Sequence, residues 1–197
     1  MKLVAGLGNP GREYEGTPHN VGFQVVDLLM EKLEVSGFQQ KFQSQFCRTS
    51  IEGEACILIN PQTFMNRVGL AVAECAGFYK IPVENIVIIS DDLDLRPGIA
   101  RFRDGGGHGG HNGLRSVIDS LGNSNFRRVR FGIGRPASKR DVVGYVLGQW
   151  SKTEAKLAQS VMDLVLLELI RFLATSQFEN ISLSAPELIQ GIAKNFG

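Results

Sequence analysis

Three short apolar runs, at residues 3–7, 55–59 and 86–89, are rich in Val, Ile and Leu and contain no charged position. Runs of that length and composition read as strands buried on both faces. Residues 99–103 and 128–133 instead alternate apolar and basic side chains, so each strand there exposes a basic face. Helical periodicity fills the intervals over 21–33, 68–79 and 112–121, and most strongly over 154–174. A short last helix is expected from a capping box, Ser184 with Glu187 three residues later. Strands alternating with helices predict an α/β sandwich with a mixed, partly parallel twisted sheet flanked by helices. The chain of 197 residues is long enough for one sizeable core and shows no repeat or linker, so residues 1–197 read as a single domain.

The formal net charge of +1 says nothing about partners, but its distribution does. Residues 96–140 hold ten Arg or Lys against two acids, while the rest of the chain holds eleven basic and eighteen acidic residues. Such a segment is either a solvated arginine face or the footprint of a polyanion. Cys47, Cys56 and Cys75 form an odd set without C-x-x-C spacing, which disfavours a disulfide framework or a zinc ribbon and favours a reducing cytoplasm. The apolar run at the N-terminus is too short for a signal peptide, and the runs elsewhere, residues 164–167 among them, are far short of a membrane span.

Two glycine loops punctuate this pattern. Gly6-Leu7-Gly8-Asn9-Pro10-Gly11 matches the dinucleotide fingerprint G-x-G-x-x-G after a strand. The context fails, because Pro10 removes a donor where a helix should begin and Asp27 lies within a helix rather than ending a second strand. A tight loop at a strand's C-terminal edge fits better. The second loop, residues 105–113, holds six glycines in nine positions, which is entropically costly to order. Close approach of backbone to a substrate accounts for it. The helix that follows is expected to offer free N–H groups to an anion or a carbonyl oxygen.

His19, His108 and His111 are the only histidines. His19 follows Thr17-Pro18, which reads as N-cap and first residue of a helix. The dipole there disfavours the imidazolium, a state suited to a general base. The strand ending near Ser90 delivers Asp91, Asp92 and Asp94. A carboxylate at that position can fix the tautomer of an imidazole and stabilise its charged form. The same acids could build a magnesium site, and Asp92 and Asp94 also suit turn chemistry before Arg96-Pro97-Gly98. No G-x-S-x-G elbow is present, and Cys56 and Cys75 fall mid-strand and mid-helix, so water is the nucleophile by elimination. Asn9, Asn66 and Asn112 sit at loops or helix starts, where amides either cap the backbone or hold a carbonyl oxygen.

Taken together, GLGNPGREYEGTPHNVGF, NPQTFMNRVG, SDDLDLRPG, GGGHGGHNGLRS, FRRVRFGIGRP and VVGYVLG, in order from residue 6 to 148, resemble the bacterial-type peptidyl-tRNA hydrolases. The resemblance implies hydrolysis of the ester between a peptide and the tRNA 3′ end by a cytoplasmic monomer without metal or cofactor. His19 would be the proton acceptor, Asp91 its carboxylate, and Asn9 a discriminator of blocked from free aminoacyl esters. Tyr14, Phe64, Asn66, Asn112 and His111 would line the site for the peptide and the terminal nucleotides. Arg101, Arg103, Arg128 and Arg130 would face the phosphates of the acceptor arm. Phe64 stands where the family often has Tyr, Arg stands where Lys is common after Pro97, and beyond about Ser151 only the helical character matches. Two other readings remain, a non-catalytic RNA-binding relative on the same fold and a magnesium-dependent phosphoesterase built on the acids.

Overall fold

The apolar runs form the middle of one eight-stranded sheet, in the order β2-β3-β4-β1-β5-β7-β6-β8. The computed structural model describes residues 1–35, 37–136, 138 and 141–186. β1 (Lys2–Gly6), β4 (Glu54–Pro61), β5 (Ile86–Asp92) and β7 (Arg127–Gly132) run parallel at the centre. Antiparallel strands close both sides: β2 (Gln39–Lys41) and β3 (Ser44–Ile51) beside β4, and β6 (Ile99–Asp104) and β8 (Ser182–Ser184) beyond β7. Helices cover both faces. On one face α1 (Val21–Lys32) and α5 (Lys152–Thr175) share a core with Val4, Leu58, Ile89 and Phe131. On the other, α2 (Phe64–Tyr79) and α3 (Asn112–Leu121) pack on Leu3, Ile57 and Ile88. Each such side chain, withdrawn from water, contributes about 1.5–3 kcal/mol before the entropy of ordering it. The short α4 (Val142–Leu147) sits beside the N-terminal approach to α1.

The expected elements are present, with four differences. Pro18–Asn20 is a 3-10 turn and α1 begins only at Val21, so His19 precedes the α-helix; the Thr17 hydroxyl donates to the Tyr14 carbonyl and caps nothing. α2 starts at Phe64, four residues before the periodicity shows it. The edge strands β2 and β8, the strand β3 between β2 and β4, and helix α4 are additions. Ser184 ends β8 rather than capping a helix, and Glu187 lies outside the described residues.

The first glycine loop follows from the contact between β1 and α1. A Cβ at Gly6 would lie 2.2 Å from the Gly22 carbonyl oxygen, and one at Gly22 would lie 2.3 Å from the Leu7 nitrogen. The missing side chains of Gly6 and Gly22 therefore let α1 sit directly on the end of β1. That contact brings the turn carrying His19 over the C-terminal edge of the sheet.

Candidate active site

At that edge three elements converge on one carboxylate. β5 delivers Asp91, which is 4% exposed. The 3-10 turn before α1 delivers His19, whose Nδ1 lies 2.9 Å from Asp91 Oδ1. The loop before α3 delivers His111, whose Nε2 lies 2.8 Å from the same oxygen. His111 also caps α3, because its Nδ1 accepts the backbone N–H groups of Gly113 and Leu114 at 3.0 and 3.2 Å. A nitrogen that accepts two N–H groups carries no proton, so the network assigns the ring proton of His111 to Nε2, aimed at Asp91. Burial by itself pushes the Asp91 carboxyl up, but the imidazoles of His111 and His19 outweigh it and hold the group well below the usual carboxylate range.

The two histidines and Asp91 offer donor atoms within 4.8 Å of one another, a spacing open to a metal ion. The tautomer of His111 does not fit one, since its Nε2 lone pair is replaced by a hydrogen while Nδ1 is occupied by the backbone. The other acids are also spoken for. Arg130 Nε donates to Asp92 Oδ2 at 2.5 Å, and Arg135 holds Asp94 Oδ1 through two nitrogens at 2.6 and 2.8 Å. Asp92 and Asp94 thus serve arginines and a local turn, in which Asp92 Oδ1 accepts the Asp94 N–H at 2.8 Å. The first turn of α3 also differs from expectation: two of its N–H groups go to His111 and are not free for a ligand.

Asn9 is fixed from two directions. Its backbone is clamped by Asn20, which accepts from its N–H and donates to its carbonyl, both at 2.9 Å. Its side-chain Oδ1 accepts the Met65 N–H at 2.8 Å and so caps α2 from a distant loop. The amide nitrogen is the group left to face the cavity. Asn20 has no local signature in the sequence; its role rests on a contact across eleven residues.

His19, Asp91, His111, Asn9 and Asn112 line a cavity of about 870 Å³. Arg103, Arg128 and Arg130 also border it, and Val142, Val146 and Leu147 of α4, unforeseen in the sequence, form an apolar wall. Tyr14, Phe64, Asn66 and Arg101 do not line it. Tyr14 and Phe64 meet edge-to-face with ring centres 6.4 Å apart, and Phe64 and Asn66 flank Met65, whose amide Asn9 binds. Burial pushes the thiols of Cys56 and Cys75 up to about 12, which removes both as nucleophiles.

Arg101 pairs with Arg130 and Arg103 with Arg128 across β6 and β7, so all four arginines share one sheet face, opposite Phe102 and Val129. They are not equivalent there. Arg128 is 2% exposed and binds backbone carbonyls, which departs from the expected solvent-facing row.

A family model described as peptidyl-tRNA hydrolase matches residues 3–186. Peptidyl-tRNA hydrolases of Thermoanaerobacter sp. and Escherichia fergusonii are 47% and 49% identical, over 84% and 83% of this chain and 93% and 85% of theirs. The crystal structure of peptidyl-tRNA hydrolase from Acinetobacter baumannii superposes with a TM-score of 0.85 at 42% identity, covering 90% of each chain. Among the described residues, no helix is long and apolar enough to cross a membrane.

Proposed function

The chain belongs to the peptidyl-tRNA hydrolase family and hydrolyses peptidyl-tRNA, and we propose that it does so through a water molecule activated by His19. The bond cut is the ester joining the peptide to the tRNA 3′ end, which makes the protein a carboxylic ester hydrolase. His19 donates its Nδ1 proton to Asp91, so Nε2 holds the lone pair that accepts a proton from water. Asp91 stabilises the imidazolium that results, and His111 holds Asp91 in place from the other side. The amides of Asn9 and Asn112 receive the carbonyl oxygen as charge develops on it, and His19 returns the proton to the leaving ribose oxygen. Asn9 also separates blocked from free aminoacyl esters, while Tyr14, Phe64 and Asn66 flank the terminal nucleotides. Arg101, Arg103 and Arg130 take the phosphates of the acceptor arm. We take the enzyme to act as a cytoplasmic monomer of one domain, without metal or cofactor.

The observation that carries this reading is the pair of imidazoles on one buried carboxylate in the cavity wall. Its test is release of tRNA from N-acetyl-aminoacyl-tRNA, with unblocked aminoacyl-tRNA as control and a minimal 3′-terminal ester assayed under exhaustive chelation. The blocked ester and the chelated minimal ester are expected to be cleaved and the unblocked ester spared. A minimal-ester rate lost to chelation and restored by magnesium would return the acids to a metal site.

A further inference from the structure

Arg103 on the β6–β7 face also donates to main-chain carbonyls, those of Phe102 and Ile181, but of the four arginines Arg128 alone is buried and tied to the glycine loop. Arg128 sends Nη1 to the Gly107 carbonyl at 2.6 Å, and Nη2 to the carbonyls of Gly106 and of Ser124. Its guanidinium carbon lies 4.4 Å from the centre of the Phe126 ring. Burial, with Arg130 nearby, pulls its pKa down to about 10. A charge withdrawn this far from water is costly to keep unless several acceptors surround it. Two of the three acceptors, the Gly106 and Gly107 carbonyls, are main-chain groups that this loop conformation supplies. Gly105 and Gly106 adopt positive φ, 60° and 118°, and turn the chain so that those carbonyls point inward. The Gly105 N–H is tied to the Phe126 carbonyl at 3.1 Å, beside the same anchor. Beyond it the loop stands clear of the body, since a Cβ at Gly107, Gly109 or Gly110 would meet nothing within 4 Å. The next fixed points are His111, on Asp91, and Asn112, the first residue of α3.

We propose that Arg128 is a positioning residue of the hydrolase: it grips the carbonyls of Gly106 and Gly107 and so sets where the loop delivers His111 and Asn112. This rests on the reading that those two residues serve the reacting ester. A misplacement of about 1 Å in such a group is enough to cost up to roughly 10²-fold in rate. A phosphate contact has another signature. It leaves the chemistry alone and adds about 0.7–0.9 to the slope of log affinity against log salt.

The experiment measures Arg128→Met and Arg128→Lys on N-acetyl-aminoacyl-tRNA and on a minimal 3′-terminal ester without the tRNA body, with His19→Ala alongside. For Arg128→Met, kcat is expected to fall about 10- to 100-fold by the same factor on both substrates. The salt slope of tRNA binding stays at the wild-type value, Arg128→Lys keeps part of the rate, and added guanidinium ion restores part of the loss in Arg128→Met. A wild-type rate on the minimal ester, with a salt slope reduced by about one, makes Arg128 a phosphate ligand and overturns the proposal. A loss that neither Lys nor guanidinium relieves overturns it as well. Should Arg128→Met not fold, Arg128→Lys carries the same comparison. His19→Ala at full rate on the minimal ester sinks the underlying reading of the site. An inactive His19→Ala beside a fully active Arg128→Met sinks this proposal alone.

Discussion

A methyl group added at Gly6 would lie 2.2 Å from a backbone oxygen of α1, whereas one added at Gly107 would meet nothing within 4 Å. Both glycines belong to loops that feed the same cavity, and the contrast shows two ways of placing a reactive group. The loop after β1 is enclosed by strand and helix, so the positions of Asn9, His19 and Asn20 are set by the core itself. The loop before α3 is open along its length and held at its ends, by Arg128 at Gly106 and Gly107 and by His111 at Asp91. The base and the first amide are thus built into the fold, and the second histidine and second amide are moored to it.

Replacing each histidine tests that contrast most severely. His19→Ala removes the proton acceptor, and the turnover of a minimal ester is expected to fall ~10²–10⁴-fold while the melting temperature stays near wild type. His111→Ala leaves the acceptor but frees Asp91 on one side and uncaps α3, so its rate loss should be smaller and should come with a loss of about 0.5–2 kcal/mol of stability. Equal rate losses, measured by single-turnover hydrolysis, would erase the distinction between base and mooring.

Gly6→Ala probes the enclosed loop by stability. No flexible side chain can yield to the new Cβ, because the atom it meets is the Gly22 carbonyl oxygen. Strand and helix must separate, at a cost of about 1–3 kcal/mol or more, read as a lower urea midpoint. An unchanged midpoint would show that α1 can slide on β1 and that the first loop is no more enclosed than the second.

The sequence makes the central strands legible because a buried parallel strand advertises itself as an unbroken apolar run, as at Ile86 to Ile89. The edge hairpin was harder to see. β2 is exposed throughout, and its turn is made by Phe42 and Gln43 at φ of 52° and 50°, without the Gly or Asn that marks such turns. The early start of α2 has no local signal at all, since its cap is the side chain of Asn9, 56 residues away. In the site, His19 and Asp91 could be singled out by type and position, but not the sharing of one carboxylate oxygen by two imidazoles, which depends on three distant segments. Alternation put the four arginines on one face correctly and could not tell Arg128 from its neighbours. The difference lies in the glycine carbonyls folded over it.

The smallest expected effect decides why the open loop is rich in glycine. Gly107 has no positive φ and no neighbour at its Cβ position, so alanine fits there without strain. The Gly107 carbonyl that Arg128 holds is unchanged by the substitution. Alanine has fewer unfolded conformations to lose, and Gly107→Ala should therefore raise stability by about 0.4–1 kcal/mol. Gly109 and Gly110 are poorer probes, because their φ values of 57° and 85° would strain any side chain. If glycine serves close approach of the substrate, the slightly stabilised Gly107→Ala enzyme should show a raised KM for N-acetyl-aminoacyl-tRNA at nearly constant kcat. Steady-state kinetics and urea unfolding on the same preparation give both numbers. A stabilised variant with unaltered KM would mean that the substrate does not come near this part of the loop. The glycines at 105, 106, 109 and 110 would then be there for their backbone angles alone.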